Sequence, residues 1–416
     1  MADIKPFAAA RPAEKLVKRV AALPYDVYSR SEARVAAAED VLSFLNIDRP
    51  ETQFPPDFDM YAPEVYAKAK ELLDARMSDG TFVSDPEECY YLYELTWQGK
   101  SQTGLVACAS IDDYVKGVIK KHENTREEKE IDRITHVDTC SAQTGPIFLA
   151  YRKNAVIAEI TERVKETKPL YSFICEDKVR HQVWKIKSEL DIMAVRESFG
   201  RINHIYIADG HHRAASAVKV GLRRRKQNPS YTGSEEFNYF LCVLFPDEEL
   251  RILPYNRVVK DLNGYSVNDF LSVLDEKFNI TEVTKNEAEP AEKFSFCMYL
   301  ADTWYRLSLK EHLKLQLKEE GDPVKMLDVS VLQDMVLSPL LGITDPRTDS
   351  RIDFVGGIRG TDELERRVHK DAEVAFSMYP TSITELFAVS DAGMLMPPKS
   401  TWFEPKLRSG LFIHKI

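Results

Sequence analysis

Apolar residues in this chain recur at two different spacings, and the places where one gives way to the other mark its elements. Ala, Glu, Leu and Lys repeat every three or four positions over residues 31–45 and 62–78, which predicts two helices. Ahead of them, residues 4–28 read as a short opening strand, a basic amphipathic helix around 14–20, and then Leu23-Pro24-Tyr25-Asp26-Val27. Pro24 disfavours helical geometry at Leu23, so the helix should stop and the chain should turn there. Residues 48–63 hold four prolines and read as a surface connection. The aromatic run 89–96 and the run 102–109, joined by a turn at 98–100, predict a strand pair. Residues 111–134 carry helix formers and charges, 146–151 a strand, and 155–174 a helix with its exit strand. Two more apolar runs, 204–208 and 240–245, read as strands, the second ended by Pro246.

The texture changes near 265. Residues 267–278 and 323–335 suggest helices, 294–300 with 304–309 a hairpin, and 351–355 and 374–379 strands. A helical turn at 384–390 precedes an aromatic tail, Trp402-Phe403-Glu404-Pro405-Lys406. The mixture predicts an α+β fold with a mixed sheet, divided into residues 1–264 and 265–416.

Composition narrows the function classes. A chain of 416 residues with 44% hydrophobic and 29% charged side chains is that of an ordinary soluble protein. The net charge of −10 argues against a general nucleic-acid or anionic-membrane surface, though not against a local basic pocket. Six scattered cysteines without a CxxC pair suit a reducing compartment and indicate neither a disulfide framework nor a structural zinc site. No secretory signal pattern and no run of roughly 18 apolar residues is present, so a cytoplasmic protein without membrane partners is expected. A homo-oligomeric state is left open.

The densest chemistry lies at Tyr206-Ile207-Ala208-Asp209-Gly210-His211-His212-Arg213, where an apolar strand runs through a tight turn into an alanine-rich helix. Gly210 permits the turn, and the free N–H groups that open the helix suit an anion. His212 and Arg213 add donors, and an arginine fork can hold two phosphate oxygens. A carboxylate at Asp209 more plausibly orients a histidine, holds Mg²⁺ or takes a proton from a hydroxyl. The competing account is an N-cap aspartate before exposed histidines.

A second cluster runs from Lys120 through His122, Glu123, Thr125 and Arg126 to Lys129 and Arg133. If 123–134 is helical, Arg126, Lys129 and Arg133 share a face that reaches a polyphosphate; the bland account is a solvated helix with internally paired charges. His122, Glu123 and Thr125 are compactly placed at a strand–helix boundary. The prolyl turn at Tyr25 and Asp26 can mount a site carboxylate. Residues 141–146 form a small-residue turn that more simply serves structure. Lys399 and Lys406 could close over an anion. No Walker A or GxGxxG motif occurs.

Five segments, Ile4-Lys5-Pro6-Phe7, Leu23 to Val27, Ile119 to Arg126, Gly145-Pro146-Ile147-Phe148-Leu149 and Ile207 to Arg213, together resemble the DUF1015 family across essentially the whole chain. The Asp-Gly-His-His-Arg string also resembles the phosphate-binding turn of the ParB/sulfiredoxin-like superfamily, which includes free-serine kinases. That resemblance implies a ParB/sulfiredoxin-like mixed-sheet core elaborated by further α+β elements. It implies that Gly210, His211, His212 and Arg213 hold a nucleotide polyphosphate, with Asp209 beside the transferred group. It also implies a link to serine metabolism.

The first function expected is therefore a small-molecule kinase that uses ATP or ADP with Mg²⁺ and phosphorylates a hydroxyl acceptor, free L-serine foremost. Asp209 or Glu123 would serve as base beside His122. Thr125, Arg126 and Lys129 would face the phosphates, and Tyr25 and Asp26 the acceptor and its amine. The alternative is a regulatory protein that binds or slowly hydrolyses a nucleotide. A third reading, a metal hydrolase built on His122, His211 and His212, requires tightly bound zinc, although adjacent histidines on a helix diverge.

Overall fold

A computed structural model describes residues 1–125 and 127–416. Both the α+β class and the mixed sheet expected from the sequence are present. The chain divides into two compact units, Met1–Leu250 with Pro405–Ile416, and Arg251–Glu404. The boundary therefore falls at residue 250 where 264 was expected, and the last stretch, expected with the second half, belongs to the first. Its backbone pairing explains this: Ala22 and Ser409, Ala10 and Ile413, and Gln143 and His414 are bridged. No helix among the described residues is long and apolar enough to cross a membrane. All six cysteines are free.

The first unit is organised by nine strands: β1 (Ile4–Lys5), β2 (Tyr90–Trp97), β3 (Lys100–Ser110), β4 (Ile119–Lys120), β5 (Ile147–Tyr151), β6 (Tyr171–Ile174), β7 (Arg180–Ile186), β8 (Ile205–Asp209) and β9 (Tyr239–Pro246). Their order is β4-β8-β5-β9-β3-β2-β7-β6, with β1 added against β3. The β4–β8 and β5–β9 pairs are parallel and the others antiparallel. Central strands such as β8 and β9 are apolar on both faces, as strands covered on both sides must be.

Five helices matter for the site or its frame: α1 (Pro63–Ser78), α2 (Glu127–Cys140), α3 (Ala155–Lys165), α4 (Glu189–Phe199) and α5 (His211–Gln227). Helix α5 buries Ala214, Ala215, Ala217, Val218 and Val220, and ends in Arg224, Arg225 and Lys226, which suit its negative end. Glu130 of α2 pairs with Lys219 of α5, and its carbonyl accepts the Ser216 hydroxyl at 3.2 Å. Ile147, Leu149, Ile205, Ile207, Ala214 and Leu244 lie in one shared apolar core.

Two helical expectations shorten. The helix expected over 31–45 runs Arg30–Glu39 and ends because the Asp40 carboxylate accepts the Leu42 N–H at 2.9 Å. The stretch 111–134 is broken into Ile111–Val115, β4 and the start of α2, with Gly117 in a left-handed turn between the first two. The second unit carries a six-stranded antiparallel sheet, β10 (Tyr255–Val259), β11 (Phe278–Val283), β12 (Ser295–Leu300), β13 (Thr303–Leu309), β14 (Ile352–Gly356) and β15 (Val374–Ser377), ordered β11-β13-β12-β15-β10-β14. Its Glu311–Glu320 helix had no counterpart in the sequence reading.

Candidate functional site

The site is made where β8 ends. Pairing with β5 slips between Ile207 and Asp209, a local irregularity that re-aims the strand's last side chain. Gly210 then takes a left-handed conformation, φ 92° and ψ 33°, and helix α5 begins at His211. A Cβ at Gly210 would lie 3.1 Å from Arg213 Nε, so the missing side chain also lets the guanidinium fold back over the turn. Arg213 Nη1 donates to the Pro146 carbonyl at 2.6 Å, while its Nε has no hydrogen-bond partner among the described residues. Burial opposes the Arg213 charge, but Asp26 and Asp209 nearby raise its pKa overall.

Asp209 accepts the Gly210 N–H at 2.8 Å through Oδ1 and the Lys406 ammonium at 3.0 Å through Oδ2. Burial alone would push its pKa up. The charges of Lys406 and Arg213 outweigh that and hold it well below the usual carboxylate range.

His211 is buried, and its ring meets that of His122 edge to face at 4.4 Å. Burial lowers both pKa values, that of His122 to about 4 and that of His211 far below its usual range. Both imidazoles are therefore neutral near pH 7, and His211 Nε2 and His122 Nδ1 have no hydrogen-bond partner among the described residues. Glu123 Oε2 stands 3.7 Å from His211 Nδ1, and the Glu123 side chain is 49% exposed. His212 diverges from its neighbour. It lines a cavity of about 200 Å³ together with Tyr25, Asp26, Arg49, Glu51, Lys129, Asp132 and Arg133.

Most charges around that cavity are already fastened. Arg49 pairs with Glu51 at 2.6 Å and donates to the carbonyls of Tyr25 at 2.9 Å and Tyr28 at 3.0 Å, which holds the prolyl turn in place. Arg133 pairs with Asp132 at 2.9 Å and stacks on the Tyr25 ring, 4.1 Å from its centroid. Burial pushes the Tyr25 phenol up to about 12, so it remains a neutral hydroxyl. Among the described residues, the Asp26 and Lys129 side chains are in no ion pair and face the cavity. A smaller neighbouring cavity of about 30 Å³ is lined by Asp48, Gln143, Thr144, Gly145 and Arg213. The turn at 141–146, read as structural, thus also walls this space.

Sequence-predicted residues are brought together unevenly. Tyr25, Asp26, Lys129 and His212 share the larger cavity, and Asp209, Gly210, His211 and Arg213 form the turn beside it. The helix expected from 123 starts at Glu127, so Glu123 and Thr125 precede it. The Thr125 hydroxyl is bonded to Glu130. Arg126 lies outside the described residues. Lys399 belongs to the second unit, where its ammonium lies over the Tyr255 ring. Arg49 and Asp48 were not singled out as site residues; a buried arginine has the same letter as a solvated one.

His122, His211 and His212 do not form a metal-ligand group. One such group exists among the described residues, Cys175, Asp177 and His181, whose ligand atoms lie within 4.8 Å of one another. Arg408 already occupies it: its guanidinium pairs with Asp177 and its Nε donates to His181 Nε2 at 3.4 Å. A metal ion would have to displace that cation.

No curated protein matches the chain. Among solved structures it is similar to a free serine kinase in complex with AMP (13% identity, 72% of this chain and 86% of that one, TM-score 0.33). It is also similar to SbnI with C-terminal truncation from Staphylococcus aureus (12% identity, 72% and 82%, TM-score 0.37). A conserved hypothetical protein from Pyrococcus furiosus gives 14% identity, 73% and 93% coverage, and a TM-score of 0.32. Residues 4–330 match the family described as "Protein of unknown function (DUF1015)", and the chain belongs to that family.

Proposed function

We propose that the chain is a small-molecule kinase that transfers a nucleotide phosphoryl group to a hydroxyl acceptor, with free L-serine as the acceptor to test first. The observation that carries this reading is one juxtaposition. A Gly210 turn opens a 17-residue helix with a part-buried arginine folded over it, and a cavity of about 200 Å³ stands alongside. The helix start supplies backbone N–H donors and Arg213 supplies charge for phosphates. The cavity offers what a zwitterionic acceptor needs, the Asp26 carboxylate for an amine and the Lys129 ammonium for a carboxylate.

In the transfer, the acceptor oxygen bonds to the terminal phosphorus and the bridging P–O bond of ATP or ADP breaks. The hydroxyl proton passes to a carboxylate. Asp209, held ionised, is a weak proton acceptor and acts as a fixed charge; Glu123 takes the proton. Magnesium prefers oxygen ligands, and the exposed carboxylates Asp26 and Glu123 fit it chemically; carried on the phosphates, it would neutralise their charge.

The test is incubation of the full chain with Mg²⁺ and ATP, ADP or CTP against a panel of amino acids and sugars, followed by phosphorus NMR and mass spectrometry. O-phosphoserine is the expected product. Nucleotide binding or hydrolysis with no phosphorylated acceptor would replace the kinase with the regulatory reading.

A further inference from the structure

The family match ends at residue 330, yet a residue beyond it touches the site. Residues 405–416 form a strap laid across the first unit. Ser409 exchanges backbone hydrogen bonds with Ala22 at 2.9 and 3.2 Å, and Ile413 with Ala10 at 2.8 and 3.0 Å. Gly410 donates to the Thr144 carbonyl at 3.2 Å, and a Cβ there would strike the Phe44 ring at 2.4 Å. Leu411, Phe412 and Ile413 are fully buried. A strap fastened at so many points fixes where its first side chains go, and Lys406 goes to Asp209 with only 16% of its side chain exposed.

We propose that Lys406 is a positioning residue of the phosphate site, acting through Asp209. The turn has an electrostatic problem that this contact solves. A polyphosphate drawn to the N–H groups of α5 must approach the Asp209 carboxylate, whose Oδ1 already takes the Gly210 N–H. His122 and His211 are neutral and do not offset that charge. At the turn itself Asp209 cancels the charge of Arg213, and Lys406 neutralises the carboxylate that a polyphosphate would meet. It also holds the carboxylate to one side through Oδ2. The inference rests on the kinase reading for its ligand class, a nucleoside polyphosphate, but its test does not need turnover.

The experiment measures inorganic pyrophosphate and ADP affinity by calorimetry, with melting temperature alongside, in the full chain. Lys406→Met should weaken both ligands by about tenfold or more. Lys406→Arg should keep them within about threefold, since the charge is retained. The double variant Lys406→Met with Asp209→Asn should regain most of the loss, because the uncompensated carboxylate is gone. Phe412→Leu, which loosens the strap away from the site, should lower the melting temperature and leave affinity unchanged. A Lys406→Met protein that binds both ligands as the parent does overturns the proposal. So does a double variant with no recovery, which would make Lys406 a structural pin. Pyrophosphate binding with no acceptor of the panel phosphorylated would overturn the kinase reading alone; no binding by the parent protein overturns both.

Discussion

Two polar clusters in the first unit receive a cation from the same strap, and they end in opposite states. Around His181, both ring nitrogens, Arg408 and Asp177 are answered. The imidazole Nδ1 bonds the Tyr93 hydroxyl at 2.8 Å, Nε2 accepts from Arg408, and Arg408 pairs with Asp177. The ring stacks on Phe173 at 5.1 Å and is fully buried. Around Asp209, Lys406 satisfies the carboxylate, but among the described residues His122 Nδ1, His211 Nε2 and Arg213 Nε have no hydrogen-bond partner, and Arg213 lines the cavity of about 30 Å³. Buried polar groups without partners cost stability, and the orphaned Nε of Arg213 at a cavity wall is what motivates the proposed phosphate site. Polar residues gathered in a fold are common. Bonding capacity left over is what distinguishes the cluster at Asp209 from the one at His181.

The sharpest way to break this contrast is at Asp209. Asp209→Asn should lower O-phosphoserine formation by about a thousandfold while ADP still binds, since the charge that orders Lys406 is lost. Full turnover in that variant would remove Asp209 from the reaction. The next test compares the two buried histidines against acid. Burial holds His122 at about 4 and His181 at about 3, both below the value of an unfolded histidine. The unfolded chain therefore binds protons first, and stability present above about pH 6.5 should fall as the pH drops towards about 4. His122 contributes as much as about 3 kcal/mol to that limb. Urea titrations across this range should show it, and His122→Gln should make it shallower while the share of His181 remains. Bound ADP should shift the parent protein's limb if the site takes the nucleotide, and an unchanged limb would detach His122 from it.

On the closed side, Arg408→Met should cost about 2 kcal/mol of stability, because Asp177 is part-exposed and water replaces some of the lost pairing. Its ADP affinity should stay at the parent value, and a large loss would mean the two clusters are not independent. The smallest effects belong to the cavity rim. Asp26→Asn and Lys129→Met should each raise the acceptor KM by about tenfold, with melting temperature unmoved. An unchanged KM would place the acceptor elsewhere.

Local signals made part of this legible. The run Ile205 to Arg213 could be read because an apolar strand, a glycine that must leave ordinary backbone space and an alanine-rich helix follow one another within a few residues. The divergence of His211 and His212 followed from helix geometry alone. What stayed hidden depends on distance along the chain. Lys406 reaches Asp209 across 197 residues, and the strap that carries it looked like the end of a separate domain. Arg133 had the pattern of a solvated helix charge, yet Asp132 and Tyr25 made its burial affordable. The break between Ile111 and Glu127 was masked by helix-forming letters on both sides of Gly117.

The strap also sets an order of events. Domains form largely as the chain leaves the ribosome, N-terminal parts first. Residues 405–416 emerge only after the whole of Arg251–Glu404 has been made, while the turn at Asp209 has long since been synthesised. A nascent chain halted anywhere in that interval holds the glycine turn and its arginine, but an aspartate with no lysine to answer it. Synthesis of residues 405–416 is thus the step that brings a lysine to the Asp209 carboxylate.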